Sequence, residues 1–593
     1  MTSPRTPDPN IIIGSLVHRL RATPLCAHRV PATSRTARRQ ARCASSKALG
    51  RYQCMSTRRL RPVRRGGAST VIAVLACAAT LVPAGGALAA TLASSHAQAH
   101  SGYSSGGDPG AAGSLTAVPA RVAAAANPDS PLCNPRTAPA AVGLSVASWT
   151  NTNNDPRLRD YTLASTALGT KQAPARVHVE VLLPPGYSAA GPRTRYPVLY
   201  LLYGHGGSYL DWANHGVERI IDAVDPNVIV VMPDAGYDGF YSDWYGTDID
   251  GHNGTVAPSW ETFHIDELLP WVDATFPTVA TRAGRAIAGL SMGGFGSMSY
   301  AAQHPDLFSV AGGFSGADDS DLDWPAGSEA QALASNLPDQ KLPDNCIWGD
   351  PVTEDVVWRT HDPTELAANL SDVSVSVWSG NGEPGDTTPG APAWNLSAGL
   401  TEAGIYQENQ GFVTALRATG QQPLVDFYGP GIHDWFYWES DLNQFLGRLP
   451  AGFWTGSGSA NARPSAGFSY ESAEPSLSVW GWTFTSARAV QEFTYLDGVT
   501  TSGFTVRGSG QLTVSTPSAY RPGTTVSVTD TSTGQTVPAT VKRDPHTGRI
   551  TFTADLGPSH QTRQYLFGPT GETATFPTAY QVRITSAWPH LLR

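Results

Sequence analysis

The chain has 593 residues and a formal net charge of −9, and its length is typical of two or three domains. Residues 1–65 hold 15 of the 40 Lys and Arg residues and one of the 49 acidic residues. That segment therefore carries +14 and the remainder −23. An acidic body of this kind argues against nucleic acid as a partner, and a hydrophobic content of 41% excludes global disorder.

The N-terminal region has the features of an export signal. Residues 55–89 contain a basic stretch, an apolar run over residues 71–82 and a small-residue site at residues 87–89, an order that predicts a secretory signal peptide. The run is shorter than the about 20 apolar residues of a transmembrane helix, so a membrane anchor formed by an uncleaved signal is the alternative. We expect a secreted protein, extracellular or associated with the cell wall. Since Met55 would be a natural start, residues 1–54 are predicted to be a disordered or mis-called extension.

Cysteine usage fits an exported protein. Four of the six cysteines lie before residue 90, which leaves Cys133 and Cys346. Two cysteines in an exported chain predict one disulfide, and two free buried thiols are the alternative.

The central region alternates between strand and helix patterns. Residues 90–130 are rich in Ala, Gly and Ser and predict a flexible linker. Within residues 131–450, continuous apolar runs such as VLYLLY at 198–203 and VIVVM at 228–232 are typical of parallel strands buried on both faces. Helical stretches such as residues 292–303 separate these runs. The alternation predicts a doubly wound, mostly parallel α/β domain.

The pattern changes after residue 450. Residues 451–467 are rich in Gly, Ser, Ala and Pro and predict a second linker. Residues 468–593 contain short Thr, Ser and Val alternations separated by turn signals, which predict an all-β sandwich-like accessory domain.

The strongest local motif is Gly-Leu-Ser-Met-Gly at residues 289–293. A strand pattern precedes it and a helix pattern follows, which is the context of a nucleophile elbow in an α/β-hydrolase. We therefore predict that Ser291 is a catalytic nucleophile.

A serine nucleophile needs a base and an acid that orients the base. In this fold both follow the serine along the chain. Three histidines lie between Ser291 and residue 450, and His433 is the one that follows the last predicted strand. The acid should follow an earlier strand, where Glu383 and Asp386 are both candidates.

The oxyanion hole needs two backbone N–H groups. One is predicted at Met292, directly after the nucleophile. The other is predicted at His205, within the glycine-rich loop GHGG at residues 204–207, where the backbone can approach a substrate closely.

Several segments in this order resemble a known family. They include FYSDWY at residues 240–245, WETF at 260–263, GLSMG at 289–293, GNGEPGD at 380–386 and HDWFYW at 433–438. Together they resemble the secreted α/β-hydrolase esterase family that includes the mycobacterial antigen 85 mycolyltransferases.

The resemblance implies an α/β-hydrolase fold and acyl transfer through an acyl-serine intermediate. The reaction needs no cofactor and no metal. Counting along the GNGEPGD segment as in the family selects Asp386 as the acid, and the family's oxyanion donors fall on the backbones of His205 and Met292. The implied substrate is an acyl ester, with water or the hydroxyl of a sugar or another alcohol as acceptor.

Two features remain open at the level of sequence. The aromatic residues near the site, Trp244 and Trp435 among them, could bind substrate or pack in the core. The C-terminal domain could bind a cell-wall glycan. The alternative function is therefore a secreted cell-wall or carbohydrate-binding protein with an inactive hydrolase core.

Overall fold

The structure is a computed structural model. It describes residues 133–136, 140–153, 155–187, 193–225, 227–248, 256–320, 346–350, 353–456, 464, 466–541, 548–565 and 579–586. The predicted N-terminal extension, signal peptide and first linker lie outside the described residues.

Eleven strands of the described residues form the sheets of the N-terminal part. In chain order they are β1 (Cys133–Pro135), β2 (Leu144–Asn151), β3 (Leu158–Ser165), β4 (Ala175–Leu182), β5 (Val198–Leu202), β6 (Ile229–Pro233), β7 (Gly246–Asp248), β8 (Arg285–Leu290), β9 (Val310–Phe314), β10 (Ser374–Ser379) and β11 (Leu424–Phe427).

Nine of these strands form one sheet in the order β11-β10-β9-β8-β5-β6-β4-β3-β2, and β1 pairs with β7 separately. The strands from β6 to β11 in this sheet run parallel, whereas β4, β3 and β2 are antiparallel. This is the predicted α/β-hydrolase fold, and the family comparison below supports it.

The apolar runs seen in the sequence are the central strands. Every residue of β5, β6 and β8 is buried, because helices cover both faces of a parallel sheet. Strands β2 and β3 were not predicted from the sequence. Strand β3 mixes Arg, Asp and Thr with its apolar residues, and β2 is exposed over most of its length.

The helices that matter for the site follow individual strands. The described α-helices are α1 (Asp211–Asn214), α2 (Val217–Val224), α3 (Leu269–Thr275), α4 (Met292–Gln303), α5 (Asp355–Arg359), α6 (Leu396–Ala418), α7 (Trp435–Arg448) and α8 (Ala451–Thr455). The predicted helix at residues 292–303 is confirmed. Within the described part of the chain, no helix combines the length and the apolar character needed to cross a bilayer.

The C-terminal part consists of two antiparallel sheets around a common apolar core. A six-stranded sheet and a four-stranded sheet contribute to it, as predicted for a sandwich-like domain. Its described strands are β12 (Phe468–Ser472), β13 (Ser476–Val479), β14 (Trp482–Ala487), β15 (Thr494–Thr500), β16 (Gly503–Arg507), β17 (Gln511–Ser515), β18 (Thr525–Asp530), β19 (Thr536–Thr540), β20 (Thr551–Asp555) and β21 (Tyr580–Ser586).

The two parts share buried contacts. Ala473 and Phe493 from the β part belong to the core of the α/β part, and the Tyr470 hydroxyl donates to the Gln303 carbonyl at 2.8 Å. Residues 451–455 at the start of the predicted second linker form α8.

Candidate active site

Ser291 occupies a strained turn between β8 and α4. Its φ of 52° and ψ of −122° lie in a region that non-glycine residues rarely adopt. The flanking glycines are required by space. A Cβ at Gly289 would lie 2.4 Å from the Gly293 carbonyl oxygen, and a Cβ at Gly293 would lie 2.6 Å from the Tyr203 carbonyl oxygen. The motif therefore forms the sharp turn of a nucleophile elbow.

His433 contacts the Ser291 hydroxyl from the loop between β11 and α7. Its Nε2 lies 2.9 Å from Ser291 Oγ, and its backbone N–H donates to the Ala398 carbonyl at 3.2 Å. The indole of Trp438 packs edge-on against the imidazole, with 4.8 Å between ring centroids. The ring is thus held in the position from which a base can accept the serine proton.

Glu402 is the carboxylate beside His433. Its Oε2 lies 2.7 Å from His433 Nδ1, and its side chain has no exposed surface. Its Oε1 accepts three hydrogen bonds, from the Ser315 hydroxyl at 2.8 Å, the Ser379 hydroxyl at 3.0 Å and the Gly380 N–H at 2.8 Å. Donors therefore surround a fully buried carboxylate, which satisfies the requirement that a buried charge be paired.

The structure corrects the predicted acid. Asp386 lies near the surface, where its Oδ2 accepts from the Tyr437 hydroxyl at 2.7 Å, and hydrogen bonds from Thr388 lower its pKa. Glu383 is exposed and bonds to Asn381. Neither candidate is bonded to His433. The chain passes both of them before it turns into α6, and this helix carries Glu402 back to the imidazole.

The sequence did contain a signal for Glu402. Along α6 the residue lies in register with Ile405, Asn409 and Phe412, all of them buried. A glutamate on the apolar face of a helix needs a partner in the interior. The signal was missed because the helix itself was not predicted.

The two predicted oxyanion donors lie on either side of the nucleophile. Met292 is the first residue of α4, and the first N–H groups of a helix have no partner inside the helix. The loop of His205 lies directly against the elbow, since a Cβ at Gly204 would lie 3.1 Å from Ser291 Cβ. The His205 side chain turns toward Asp238, whose Oδ1 is in close contact with His205 Nε2.

The aromatic candidates occupy different environments. Trp244 is buried, and its indole N–H donates to the Gly239 carbonyl at 3.2 Å, which favours packing in the core over binding of substrate. Trp435 is partly exposed and stacks on His215 with 3.8 Å between ring centroids. Its ring also packs against Trp438, which contacts His433. Trp435 therefore stays a candidate for contact with substrate.

Of the two cysteines in the predicted disulfide, the structure describes the side chain of Cys346. Cys346 is fully buried and disulfide-bonded. The backbone of Cys133 lies in β1, which pairs with β7, and the Cys346 carbonyl accepts from the N–H of Gly246 at the start of β7. Among the described residues, no group of three or more His, Cys, Asp or Glu side chains has the arrangement of a metal site.

Comparison with known proteins supports the predicted resemblance. Residues 170–449 match the model of the family described as Putative esterase. Esterase Rv1288 of Mycobacterium tuberculosis is 34% identical over 261 residues, which are 44% of this chain and 52% of that protein. The diacylglycerol acyltransferase/mycolyltransferase Ag85B of Mycolicibacterium smegmatis is 33% identical over 228 residues, 38% of this chain and 66% of that protein. The chain thus spans about half the length of the first relative.

Solved structures align with about half of the chain. A ferulic acid esterase aligns with a TM-score of 0.35 at 25% identity and covers 49% of this chain and 98% of its own. MPT51 of Mycobacterium tuberculosis aligns with a TM-score of 0.37 at 23% identity and covers 51% of this chain and 100% of its own. The predicted resemblance to the antigen 85 and esterase family is confirmed by the family model and the relatives.

Proposed function

We propose, from the esterase match and the geometry around Ser291, that this protein is an exported serine esterase or acyltransferase. It would act on acyl esters through an acyl-Ser291 intermediate. The observation that carries the proposal is the continuous chain of hydrogen bonds from Ser291 through His433 to the buried Glu402. A hydrolase core that had lost its activity would not need Ser291, His433 and Glu402 to stay in contact.

In the proposed first step, Ser291 Oγ attacks the ester carbonyl carbon while His433 Nε2 accepts the hydroxyl proton. Glu402 accepts the hydrogen bond from Nδ1–H, which leaves Nε2 free as the base and stabilises the imidazolium that forms. The carbonyl oxygen becomes an oxyanion, and the backbone N–H groups of Met292 and His205 donate to it.

The tetrahedral intermediate then breaks its bond to the leaving oxygen. His433 returns the proton to that oxygen, so an alcohol departs and an ester to Ser291 remains. Water or an acceptor hydroxyl attacks this ester in the second half, again with His433 as base. Attack by water gives an acid, whereas attack by a hydroxyl gives a new ester, and Ser291 recovers its proton in both cases.

Exposed apolar side chains at the start of α6 support an apolar acyl group as substrate. Trp394, Leu396 and Leu400 are 43%, 62% and 64% exposed. Leu396 and Leu400 are four residues apart at the start of α6, so they share one helix face. The same turn of α6 contains Ala398, whose carbonyl accepts from the His433 N–H. We name Trp394, Leu396 and Leu400 the α6 apolar face.

Trp435 supports an acceptor with a flat apolar side, such as a sugar. Its ring stacks with His215, whose Nδ1 lies 3.1 Å from Glu439 Oε1. Aromatic rings beside polar groups suit sugars, which present C–H faces and hydroxyl edges. A product assay with increasing trehalose or glycerol distinguishes the two reactions, because acyl transfer produces a new ester and hydrolysis does not.

Labelling with a fluorophosphonate tests the enzyme proposal directly. The expected result is covalent labelling of the wild-type protein and none of Ser291→Ala, because the reagent reacts with an activated serine. Equal labelling of both proteins, or none of the wild type, would contradict the proposal. The second outcome would favour the alternative of a wall-binding protein with an inactive core.

Export, the disulfide and glycan binding are further parts of the proposal. Cleavage after Ala89 would give secreted protein that begins at Ala90, which N-terminal sequencing checks. Mass mapping without reductant checks a link between Cys133 and Cys346. A pull-down on cell-wall polymer with the full chain, compared with a chain ending at residue 456, checks glycan binding by the C-terminal part.

A further inference from the structure

The oxyanion loop at residues 204–207 is held by the segment that follows β6. We name residues 234–241 the brace loop. The Gly206 N–H donates to the Tyr237 carbonyl at 3.0 Å, and the Tyr203 hydroxyl donates to the Gly236 carbonyl at 2.7 Å. From the end of the brace loop, the Tyr241 hydroxyl donates to the Tyr203 carbonyl at 2.9 Å. These bonds join the brace loop to Gly206 of the oxyanion loop and to Tyr203, which directly precedes that loop.

The brace loop holds an unfavourable backbone conformation. Phe240 and Tyr241 are consecutive residues with φ of 45° and 47°, a region that costs free energy for bulky side chains. Such strain persists where the surrounding structure determines the conformation, and it is often found at functional sites. A segment that only connected β6 to the next element would not need it.

Asp238 is the charged residue of the brace loop that meets the oxyanion loop. It is 2% exposed, and its Oδ1 is in close contact with His205 Nε2. The edge of the His205 ring faces Tyr237, with 5.0 Å between centroids at 84°. A carboxylate removed from water needs a hydrogen-bonded or charged partner, and the His205 imidazole is the side chain that lies against its Oδ1.

The backbone on either side of His205 has little restraint of its own. Gly204, Gly206 and Gly207 surround it, and Gly206 adopts a φ of 73°. Glycine permits many backbone conformations, so His205 carries the one side chain of this loop that can anchor it. Fixing the imidazole fixes the Cα and limits the direction of the adjacent backbone N–H.

We propose that Asp238 is a positioning residue of the oxyanion hole. It holds the His205 imidazole, and through it the His205 backbone N–H that donates to the oxyanion. This inference rests on the proposed function, because it assigns a role within the same reaction. The role is one of geometry, since Asp238 itself does not touch the reacting atoms.

The main test replaces the charge without changing the shape. Asp238→Asn is expected to lower kcat about 10- to 100-fold with KM within about threefold, because loss of an oxyanion donor costs about 10²–10³ in kcat. A trifluoromethyl ketone analogue of the substrate forms a tetrahedral adduct whose oxygen occupies the hole. Its affinity should fall by a factor similar to that of kcat, which a loss of stability alone would not produce.

Glu261→Gln is the matched control. Glu261 forms a carboxylate–histidine pair with His304 at 2.8 Å, at the end of α4 that lies away from Ser291. The variant should change thermal stability and leave kcat and the affinity for the ketone as in the wild type. If both pairs affected kcat equally, the effect would be a general one of stability and the inference would be overturned.

Variants of His205 test the contact between Asp238 and His205 independently. They also provide the test if Asp238→Asn does not fold. His205→Gln keeps an N–H donor for Asp238 and should lose less kcat than His205→Ala, which should lose as much as Asp238→Asn. Combining His205→Ala with Asp238→Asn should cost no more than either change, because residues that act together are not additive.

Two results separate this inference from the proposed function. If the wild type is labelled by the fluorophosphonate but Asp238→Asn keeps its kcat and its ketone affinity, the inference fails alone. Strictly additive effects of the two substitutions, or a loss of activity in His205→Gln as large as in His205→Ala, would also overturn it. If the wild type is not labelled, the proposed function fails and the inference falls with it.

Discussion

The surroundings of Glu402 fit an ionised carboxylate. Three donors approach Oε1, and His433 Nδ1 approaches Oε2. An amide at this position would direct its NH₂ group at one of these donors. The residue is therefore suited to accept from the base, whereas Asp386 has no such surroundings.

The first prediction compares these two carboxylates. Glu402→Gln should lower kcat/KM for a soluble ester about 10²- to 10⁴-fold, in line with the effect of amide substitution at the acid of a serine triad. Asp386→Asn should stay within about threefold of the wild type, since its partners are Tyr437 and Thr388. A large loss in Asp386→Asn with little loss in Glu402→Gln would restore the original assignment.

A second buried carboxyl affects stability rather than catalysis. Asp318 is fully buried, and within the described part of the chain neither of its carboxyl oxygens has a hydrogen-bond partner. Burial, together with the nearby charge of Asp362, raises its pKa from an ordinary value of 3.8 to about 8. The folded protein thus keeps this proton over a pH range in which the unfolded chain has released it.

The raised pKa of Asp318 makes the free energy of unfolding depend on pH. Where the folded state binds more protons than the unfolded state, the free energy of unfolding falls as pH rises. For Asp318 that range runs from about pH 4 to about pH 8. Asp318→Asn should remove this decline, so its advantage over the wild type should be at least about 1 kcal/mol larger at pH 8.5 than at pH 5. Urea unfolding at both values measures the difference, and an equal offset at both would contradict the prediction.

At the scale of elements, helix α6 supplies two of the groups that contact His433. Asn395 caps its N-terminus by accepting from the Ala398 N–H at 2.9 Å, and the next turns supply the Ala398 carbonyl and Glu402. Leu396 and Leu400 of the α6 apolar face lie on the first turns of the same helix, and Trp394 directly precedes its N-cap. One element therefore holds the acid and presents the surface that we assign to the acyl group.

Substitution on this face should change the preference for chain length. Leu400→Ser should lower kcat/KM for a long-chain ester about tenfold and leave an acetate ester unchanged, since full burial of a leucine side chain is worth about 1.5–3 kcal/mol. Leu424→Ser is the control, because Leu424 is also exposed but lies on β11. Equal effects on both esters would argue against an acyl-binding role.

The elements differed in how far the sequence predicted them. The central strands were predictable because β5 and β6 are continuous apolar runs buried on both faces. Helix α6 was not predictable in the same way. Its buried positions include Glu402, Glu408 and Asn409, so no plain apolar stripe marks it. Polar groups that find partners in the interior weaken the amphipathic pattern on which prediction depends.

At the scale of the molecule, the β part is joined to the α/β part by specific polar contacts. Asn369 donates to the Glu471 carbonyl at 2.8 Å and accepts from the Glu471 N–H at 2.9 Å. The Arg359 guanidinium lies over the Tyr565 ring at 4.4 Å, and Arg563 forms an ion pair with Glu354. These contacts indicate a fixed arrangement rather than two parts on a free linker.

Removal of one joining side chain should destabilise the whole molecule. Asn369 is 3% exposed, so Asn369→Ala would leave both backbone groups of Glu471 without partners at a cost of about 1–3 kcal/mol. Chemical unfolding should still show one cooperative transition, at a lower denaturant concentration. A transition of the α/β part unchanged by the substitution would show that the two parts unfold independently.

The sequence by itself determined the class of the two parts, and it predicted Ser291 as nucleophile, His433 as base and His205 and Met292 as oxyanion donors. These features are local: an elbow needs glycines beside its serine, and the base follows a strand whose apolar run is visible. The tertiary structure decided which carboxylate meets His433 and which carboxylate meets His205. Glu402 and Asp238 reach the site from other segments of the chain, and only the packing of those segments brings their charges to the imidazoles they contact.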